Sequence, residues 1–400
     1  MIISQHFYPE IGSAGNRMKE VFSLLSEKGY EVDILTANPT YPNREIYEDK
    51  KFWNDDEFSK KYAQNITRIQ VTSRKYATNI FNRLLYYLEI SLKMLLFIIK
   101  DRKQYDVLYV TSPPIFIGFI GVFAKFRYKN SKLLLDIRDL WPESLKGVNV
   151  FNHAVILSIF ERLETWMYRK ADGIIINSKG FYDHIKNKLN NRKLRITFIP
   201  NSLRLKDISV SKNETNEFKV IYTGNLGLAQ DVELIKETAV GLADYNIQLS
   251  IIGYGMRSGD LYNYVREQNL TNVKIFKAST KKELFEIYNS HSVGLVTLIQ
   301  ADVFDTVLPG KIIDYMGCGL PMVAAVSGFS KKLIEELNVG YVSEHHNADE
   351  LVSKILCLKD NYEDYYEKAH NCKKAVEQEF LWENNIEKLV GLIDELTIAS

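Results

Sequence analysis

The sequence predicts an α/β protein of two tandem, doubly wound parallel-sheet domains, and three observations predict it. Short, continuously apolar runs of strand length alternate with longer segments of helical period. A polar stretch after residue 200 interrupts the alternation once. The same alternation then restarts and runs almost to the C terminus. Strands that are apolar at every residue, not at every second one, are covered on both faces, as crossover helices cover a parallel sheet.

Met1-Ile-Ile-Ser starts the first strand, and 16–28 carries apolar residues at helical spacing up to Gly29. Strands follow at Glu31–Thr36, Val107–Thr111, Leu133–Ile137 and Gly173–Asn177, separated by helices near 80–102, 114–127, 151–170 and 179–189. Ile199-Pro-Asn201 pauses the pattern, and 206–217 is polar, so 1–200 reads as one domain and 201–217 as a linker. The second domain, 218–380, has strands at Lys219–Thr223, Gln248–Ile252, Val273–Phe276, Val293–Val296 and Met322–Ala325. A last helix fills 381–400.

Net charge is +1, but residues 1–200 hold 31 Lys and Arg against 21 acids, while 201–400 hold 20 against 29. Such a split points to a polyanionic or membrane partner for the first half. Between Lys60 and Lys132, 14 basic residues face only Glu89, Asp101 and Asp106. Cys318, Cys357 and Cys372 lack metal-ligand spacing and read as reduced thiols of a cytoplasmic protein. The N terminus has no basic n-region. No segment reaches the ~20 apolar residues that cross a bilayer.

Two such domains imply a cleft, and ligands sit at the carboxyl ends of parallel strands. After the first strand comes His6-Phe-Tyr-Pro-Glu-Ile-Gly12-Ser-Ala-Gly15, glycines that let a ligand approach the backbone ahead of a helix. After Ile137 come Arg138 and Asp139, the latter placed to accept a proton or hydrogen bond from an acceptor hydroxyl. A structural ion pair is the plain alternative. In the second half, Thr223-Gly224-Asn225-Leu-Gly227 and Gly253-Tyr-Gly255-Met-Arg257 are further close-approach loops. Arg257 could fork onto a phosphate. No acid ends the next strand, which argues against a nicotinamide site. Pro309-Gly310-Lys311 opens a helix, so Lys311 and free N–H groups stand at its positive end, suited to a diphosphate. Asp314, about one turn on, shares that face and suits ribose hydroxyls.

With these residues the chain resembles the family 4 glycosyltransferases of GT-B architecture, and among them those that build capsule and O-antigen units, including N-acetyl-L-fucosamine transferases. The resemblance rests on Ser4–Glu10, Thr111–Pro114, Asp136–Glu143, Ile199–Asn201, Tyr222–Gln230 and Pro309–Pro321. It implies a metal-independent transferase needing no cofactor, with acceptor on the first domain and UDP-sugar on the second. The acceptor it implies is a sugar on polyprenyl diphosphate. By the same resemblance Lys311 and Arg257 hold phosphate, Asp314 holds ribose, and Asp139, Arg138 and His6 line the catalytic cleft. Gly12, Gly15, Gly224, Asn225, Gln230, Thr306, Pro309 and Gly310 surround the donor. Thr306 stands where the family's E-x7-E motif has its first acid, and Asn225 and Gln230 where many members have Arg and Lys. The final helix is expected to cross back onto the first domain.

Residues 79–103 read as a helix whose apolar side meets a membrane interface while Arg83, Lys93, Lys100, Arg102 and Lys103 meet anionic lipid, at ~1 kcal/mol each. The expected location is therefore peripheral, on the inner face of the cell membrane. A nucleic-acid module on the 60–132 patch would need base-stacking aromatics in a groove, which are not evident. A nucleotide-sugar epimerase of the same shape would need no basic apolar face.

Overall fold

A computed structural model describes residues 1–71, 80–149, 153–190, 192–208 and 217–398. The proposed linker, 201–217, lies partly outside them. The chain forms two compact units, one of Met1–Pro200 with Asn384–Ser400 and one of Asn201–Glu383.

The first unit holds a sheet of β1 (Ile2–Ile3), β2 (Ile34–Ala37), β3 (Ile66–Ile69), β4 (Val107–Ser112), β5 (Lys132–Ile137), β6 (Gly173–Ile176) and β7 (Arg195–Phe198). Its order is β3-β2-β1-β4-β5-β6-β7, with every pairing parallel. Helices α1 (Ser13–Glu27), α2 (Asp56–Lys61), α3 (Ile80–Lys100), α4 (Ile115–Arg127), α5 (Glu143–Gly147), α6 (Ala154–Lys170) and α7 (Tyr182–Leu189) connect the strands. Residues 133–137 of β5 and all four of β6 are fully buried, as their continuous apolar runs require.

The second unit's sheet runs β10-β9-β8-β11-β12-β13, again all parallel. Its strands are β8 (Lys219–Asn225), β9 (Gln248–Tyr254), β10 (Val273–Ile275), β11 (Val293–Thr297), β12 (Met322–Ala325) and β13 (Gly340–Val342). Its helices are α8 (Val232–Ala243), α9 (Ser258–Glu267), α10 (Lys281–Tyr288), α11 (Gly310–Gly317), α12 (Gly328–Glu336), α13 (Ala348–Asp360) and α14 (Tyr362–Glu379). Val220, Tyr222, Ile235, Leu249, Leu295 and Val323 belong to its core. The last helix, α15 (Trp382–Ile398), belongs to the first unit from Asn384 on, where Tyr30 donates to Asp394 at 3.0 Å.

Chain order reverses between β1 and β4 in one sheet and between β8 and β11 in the other. Such reversals open a crevice beyond the carboxyl ends of those strands. The loops after β1, β4, β8 and β11 are therefore where ligands belong.

Candidate functional site

In the second unit the loop after β8 is tied to the loop after β9. Leu226 N–H donates to Tyr254 O at 2.5 Å and Arg257 N–H to Leu226 O at 2.9 Å. Gly224 and Gly255 sit at φ of +106° and +120°, and a Cβ on Gly255 would meet the Asn225 side chain at 2.2 Å. Only glycine suits a backbone so disposed.

α11 starts beside these loops. Pro309, its N-cap residue, offers no N–H and no capping side chain, and Ile312 N–H turns back to Pro309 O at 3.1 Å. The N–H groups of Gly310 and Lys311 find no partner among the described residues, so the positive end of the helix is open. Lys311 extends from this end. Its ammonium lies 3.7 Å from the centre of the Tyr222 ring and donates to Gln230 Oε1 at 3.1 Å. Gln230 Oε1 also accepts from the Tyr222 hydroxyl at 3.1 Å. No described carboxylate pairs with Lys311, and burial pushes its ammonium down to about 7. A cation so desolvated and uncompensated is costly unless an anion joins it.

Asp314 is the matching anomaly one turn later. Its carboxylate takes no hydrogen bond or ion pair from any described residue. Burial raises it to about 6, against the pull of Lys281 and with the push of Asp207. Lys311 and Asp314 are thus a cation and an acid with no ion-pair partner among the described residues, on one face of one short helix. Thr306 is different: its hydroxyl donates to Val303 O at 2.6 Å and replaces the missing acid with an internal bond. Arg257 Nη2 is bonded to Glu233 and, at 3.0 Å, to Asp260, so this guanidinium stands beside two carboxylates.

In the first unit His6 Nδ1 lies 2.5 Å from Glu10 Oε2. The other oxygen of buried Glu10 accepts from Thr40 N–H at 2.6 Å and Tyr41 N–H at 3.0 Å. An ionised carboxylate only accepts, so Nδ1 carries the proton and Nε2 is the basic nitrogen, bonded to no described residue. This is the geometry of an oriented general base. Sequence reasoning included Glu10 in a motif and gave it no role; the signal was its spacing of four from His6.

Arg138 and Asp139 do not pair with each other. The acid that the strand end uses structurally is Asp136, which accepts from Arg17 Nε and Nη2 at 2.8 and 2.9 Å, while Arg17 Nη1 reaches Pro200 O at 2.9 Å. Both side chains of this pair are fully buried. Arg138 is partly exposed, its Nε is buried without a partner, and burial lowers its pKa. Burial raises the Asp139 carboxyl to about 6, against the pull of Ser144, the Leu140 amide and Arg138. Gly12 caps α1 at φ +127° with no side-chain cap. The space beside Gly15 is filled internally, since a Cβ there would meet Glu10 O at 2.5 Å. Its smallness therefore serves the packing of that loop.

Glu143, Glu164 and His184 bring possible ligand atoms within 4.8 Å of one another. Glu164 already meets the Lys188 ammonium, the Tyr168 hydroxyl at 2.7 Å and His184, so we assign no ion there. Of the basic residues expected at a membrane, Lys93 is tied to Glu89 at 2.6 Å and to Gln70 O at 2.9 Å, and Lys103 to Asp33 at 2.6 Å. Both pairs lie at the surface, Lys103 with 61% of its side chain exposed. Lys100 and Arg102 are exposed, and the Arg83 side chain lies outside the described residues. Among the described residues no helix is long and apolar enough to cross a membrane.

Residues 12–202 match the "Glycosyl transferase 4-like domain" and residues 204–379 the "Glycosyl transferases group 1" domain. A relative in Escherichia coli (strain K12), named as a colanic acid biosynthesis glycosyl transferase, WcaI, is 20% identical over 83% of this chain and 84% of its own length. Sucrose-phosphate synthase from Thermosynechococcus elongatus superposes with a TM-score of 0.73 at 17% identity, covering 100% of this chain and 99% of its own. Anabaena HepE, solved in complex with UDP and glucose, superposes at 0.70 with 14% identity and 98% coverage of both chains. With two Rossmann-like sheets, one for each matched domain, this chain is a glycosyltransferase of the GT-B type.

Proposed function

We propose that the enzyme transfers a sugar from a UDP-sugar to a sugar carried on polyprenyl diphosphate, in the assembly of a capsule or O-antigen polysaccharide. The observation that carries the donor half is the pair of uncompensated groups on α11. Lys311 and the open N–H groups of the helix take the diphosphate, and Asp314 takes the ribose hydroxyls. That HepE was solved with UDP supports the choice of base. The named role of WcaI supports a polysaccharide product. The transferred sugar, an N-acetylated deoxyhexosamine such as N-acetyl-L-fucosamine, follows from the resemblance of the motifs.

In the first unit His6, oriented by Glu10, takes the proton from the acceptor hydroxyl, with Asp139 and Arg138 lining the reacting groups. The diphosphate leaving group is stabilised by Lys311 and helix N–H groups, which need no metal ion or cofactor for that purpose. The enzyme works peripherally, at the anionic inner surface of the cell membrane that presents the acceptor.

Two substitutions separate these roles. Asp314→Ala should weaken UDP-sugar binding in calorimetry by ~10-fold or more, since a hydrogen bond to a charged group contributes about 1.5–3 kcal/mol. His6→Gln should leave that binding intact and lower turnover by ~100-fold or more. Unchanged donor affinity in the first variant would remove Asp314 from the ribose role, and unchanged turnover in the second would remove His6 from the chemistry.

A further inference from the structure

Large apolar side chains exposed to solvent are concentrated on three helices of the first unit. On α3 they are Leu85, Leu88, Leu92, Leu96 and Ile99. At ~100° per residue these five fall within roughly 80° of the helix circumference, a single stripe. α4 packs on α3 and presents Phe116, Phe119, Phe123 and Phe126 at the same kind of spacing, with Phe126 62% exposed. α6 packs on α4 and turns Val155, Ile159 and Trp166 outward.

Ring contacts hold the three helices side by side. Tyr87 of α3 stacks on Phe116 of α4, Phe116 meets Phe160 of α6, and Phe119 meets Trp166, each with ring centres 6.0 Å apart. The exposed apolar residues therefore lie on three adjoining helices. Soluble proteins rarely leave such a patch open unless it binds something.

Charge decides what binds it. Only three acids lie on these helices, and each is bonded to a cation: Glu89 to Lys93, Glu161 to Lys146 and Glu164 to Lys188. Lys100, Arg102, Arg162, Arg169 and Lys170 stand exposed on the same helices and at their ends, with Lys170 lying 5.8 Å from the Phe126 ring. An apolar face rimmed by cations, with no acid free, is complementary to an anionic phospholipid surface. A tryptophan at its border suits the headgroup level.

We propose that this enzyme seats itself in a phospholipid bilayer through the adjoining faces of α3, α4 and α6, inserting Leu92, Leu96 and Phe126 among the acyl chains, with Trp166 at the headgroup level and the surrounding cations on lipid phosphates. The inference deepens the reading of a lipid-linked acceptor and rests on it for its purpose. It also widens the membrane contact from one basic helix to an apolar surface of three helices. Binding is then hydrophobic first and electrostatic second, and a lone electrostatic film would not survive salt.

The test is co-sedimentation with phosphatidylcholine vesicles carrying a minority of phosphatidylglycerol. The unaltered enzyme is expected to pellet with them and to remain bound at ~1 M salt, where charges are screened within about 3 Å. Leu92→Ser, Leu96→Ser and Phe126→Ser together should move most of it to the supernatant, with an unchanged melting temperature and unchanged UDP binding in calorimetry. Retention of the triple variant on vesicles, release of the unaltered enzyme by salt, or its failure to pellet overturns the inference. So does a lipid-free dimer in sedimentation velocity that the triple substitution makes monomeric, because a second copy would then cover the face. Absence of UDP binding in both proteins would instead strike the donor reading and leave the membrane result standing.

Discussion

Lys311→Met is expected to weaken UDP-sugar binding by roughly 30-fold to several thousand-fold. Truncating one partner of a desolvated charge pair costs about 2–5 kcal/mol, and each 1.4 kcal/mol is tenfold in affinity. Lys311 fits that case because its ammonium is uncompensated without ligand. It rests on the Tyr222 ring and the Gln230 amide oxygen, neither of which carries charge. Methionine keeps most of the side-chain volume and removes the charge. The ligand-free variant should therefore melt no lower than the parent, and higher if burial of the ammonium is as costly as its depressed pKa indicates. Calorimetry with UDP-glucose checks the affinity and differential scanning calorimetry the melting. An unaltered affinity would place the diphosphate elsewhere.

Asp136→Ala is expected to destabilise the first unit by about 3–5 kcal/mol, because it leaves the Arg17 guanidinium buried without its carboxylate. In a domain of this size each kcal/mol lowers the melting temperature by about 2–4 °C, so the transition should fall by roughly 6–20 °C. The pair joins α1 to the end of β5, and Arg17 also holds Pro200 O. Its loss loosens the crevice floor at β1 and β4 without touching the second unit. Scanning calorimetry should show one transition move and the other remain. A shift below about 1 kcal/mol would mean that this pair is not what fixes the helix to the sheet.

The fold was legible where burial on both faces makes a strand apolar throughout, as in Leu133–Ile137 and Val293–Thr297. β3, β7 and β13 escaped the sequence reading because they are short edge strands, and in β3 and β7 no residue is buried. The start of α11 could be read because Pro309-Gly310 is a local signal. The setting of Lys311 could not, since Gln230 lies 81 residues away. The ion pair of Arg257 was hidden for the same reason: its partner Glu233 lies 24 residues earlier, on α8. Asp136 and Arg17, 119 residues apart, meet only through the β1–β4–β5 arrangement, so the partner of Asp136 could not be read from the motif around Arg138 and Asp139. Local chemistry is visible in sequence, whereas pairing across the sheet needs topology.

Proton linkage follows from the same two groups. The ammonium of Lys311 has a pKa near 7 in the free protein and is raised by a bound diphosphate, so affinity is complete below pH ~7 and declines as pH rises through that value. Asp314, near 6 when free, accepts ribose hydroxyls best as the carboxylate, so affinity also declines as pH falls below ~6. The phosphates of a UDP-sugar do not titrate in this range. At pH ~8 Asp314 is already ionised and Lys311 mostly neutral, which isolates the lysine. Calorimetry of UDP-glucose binding at that pH, in buffers of different ionisation enthalpy, counts the protons exchanged. Uptake approaching one proton by the unaltered enzyme, absent in Lys311→Met, is the expected result; no uptake, or the same uptake in both proteins, would contradict the placement of the diphosphate on Lys311.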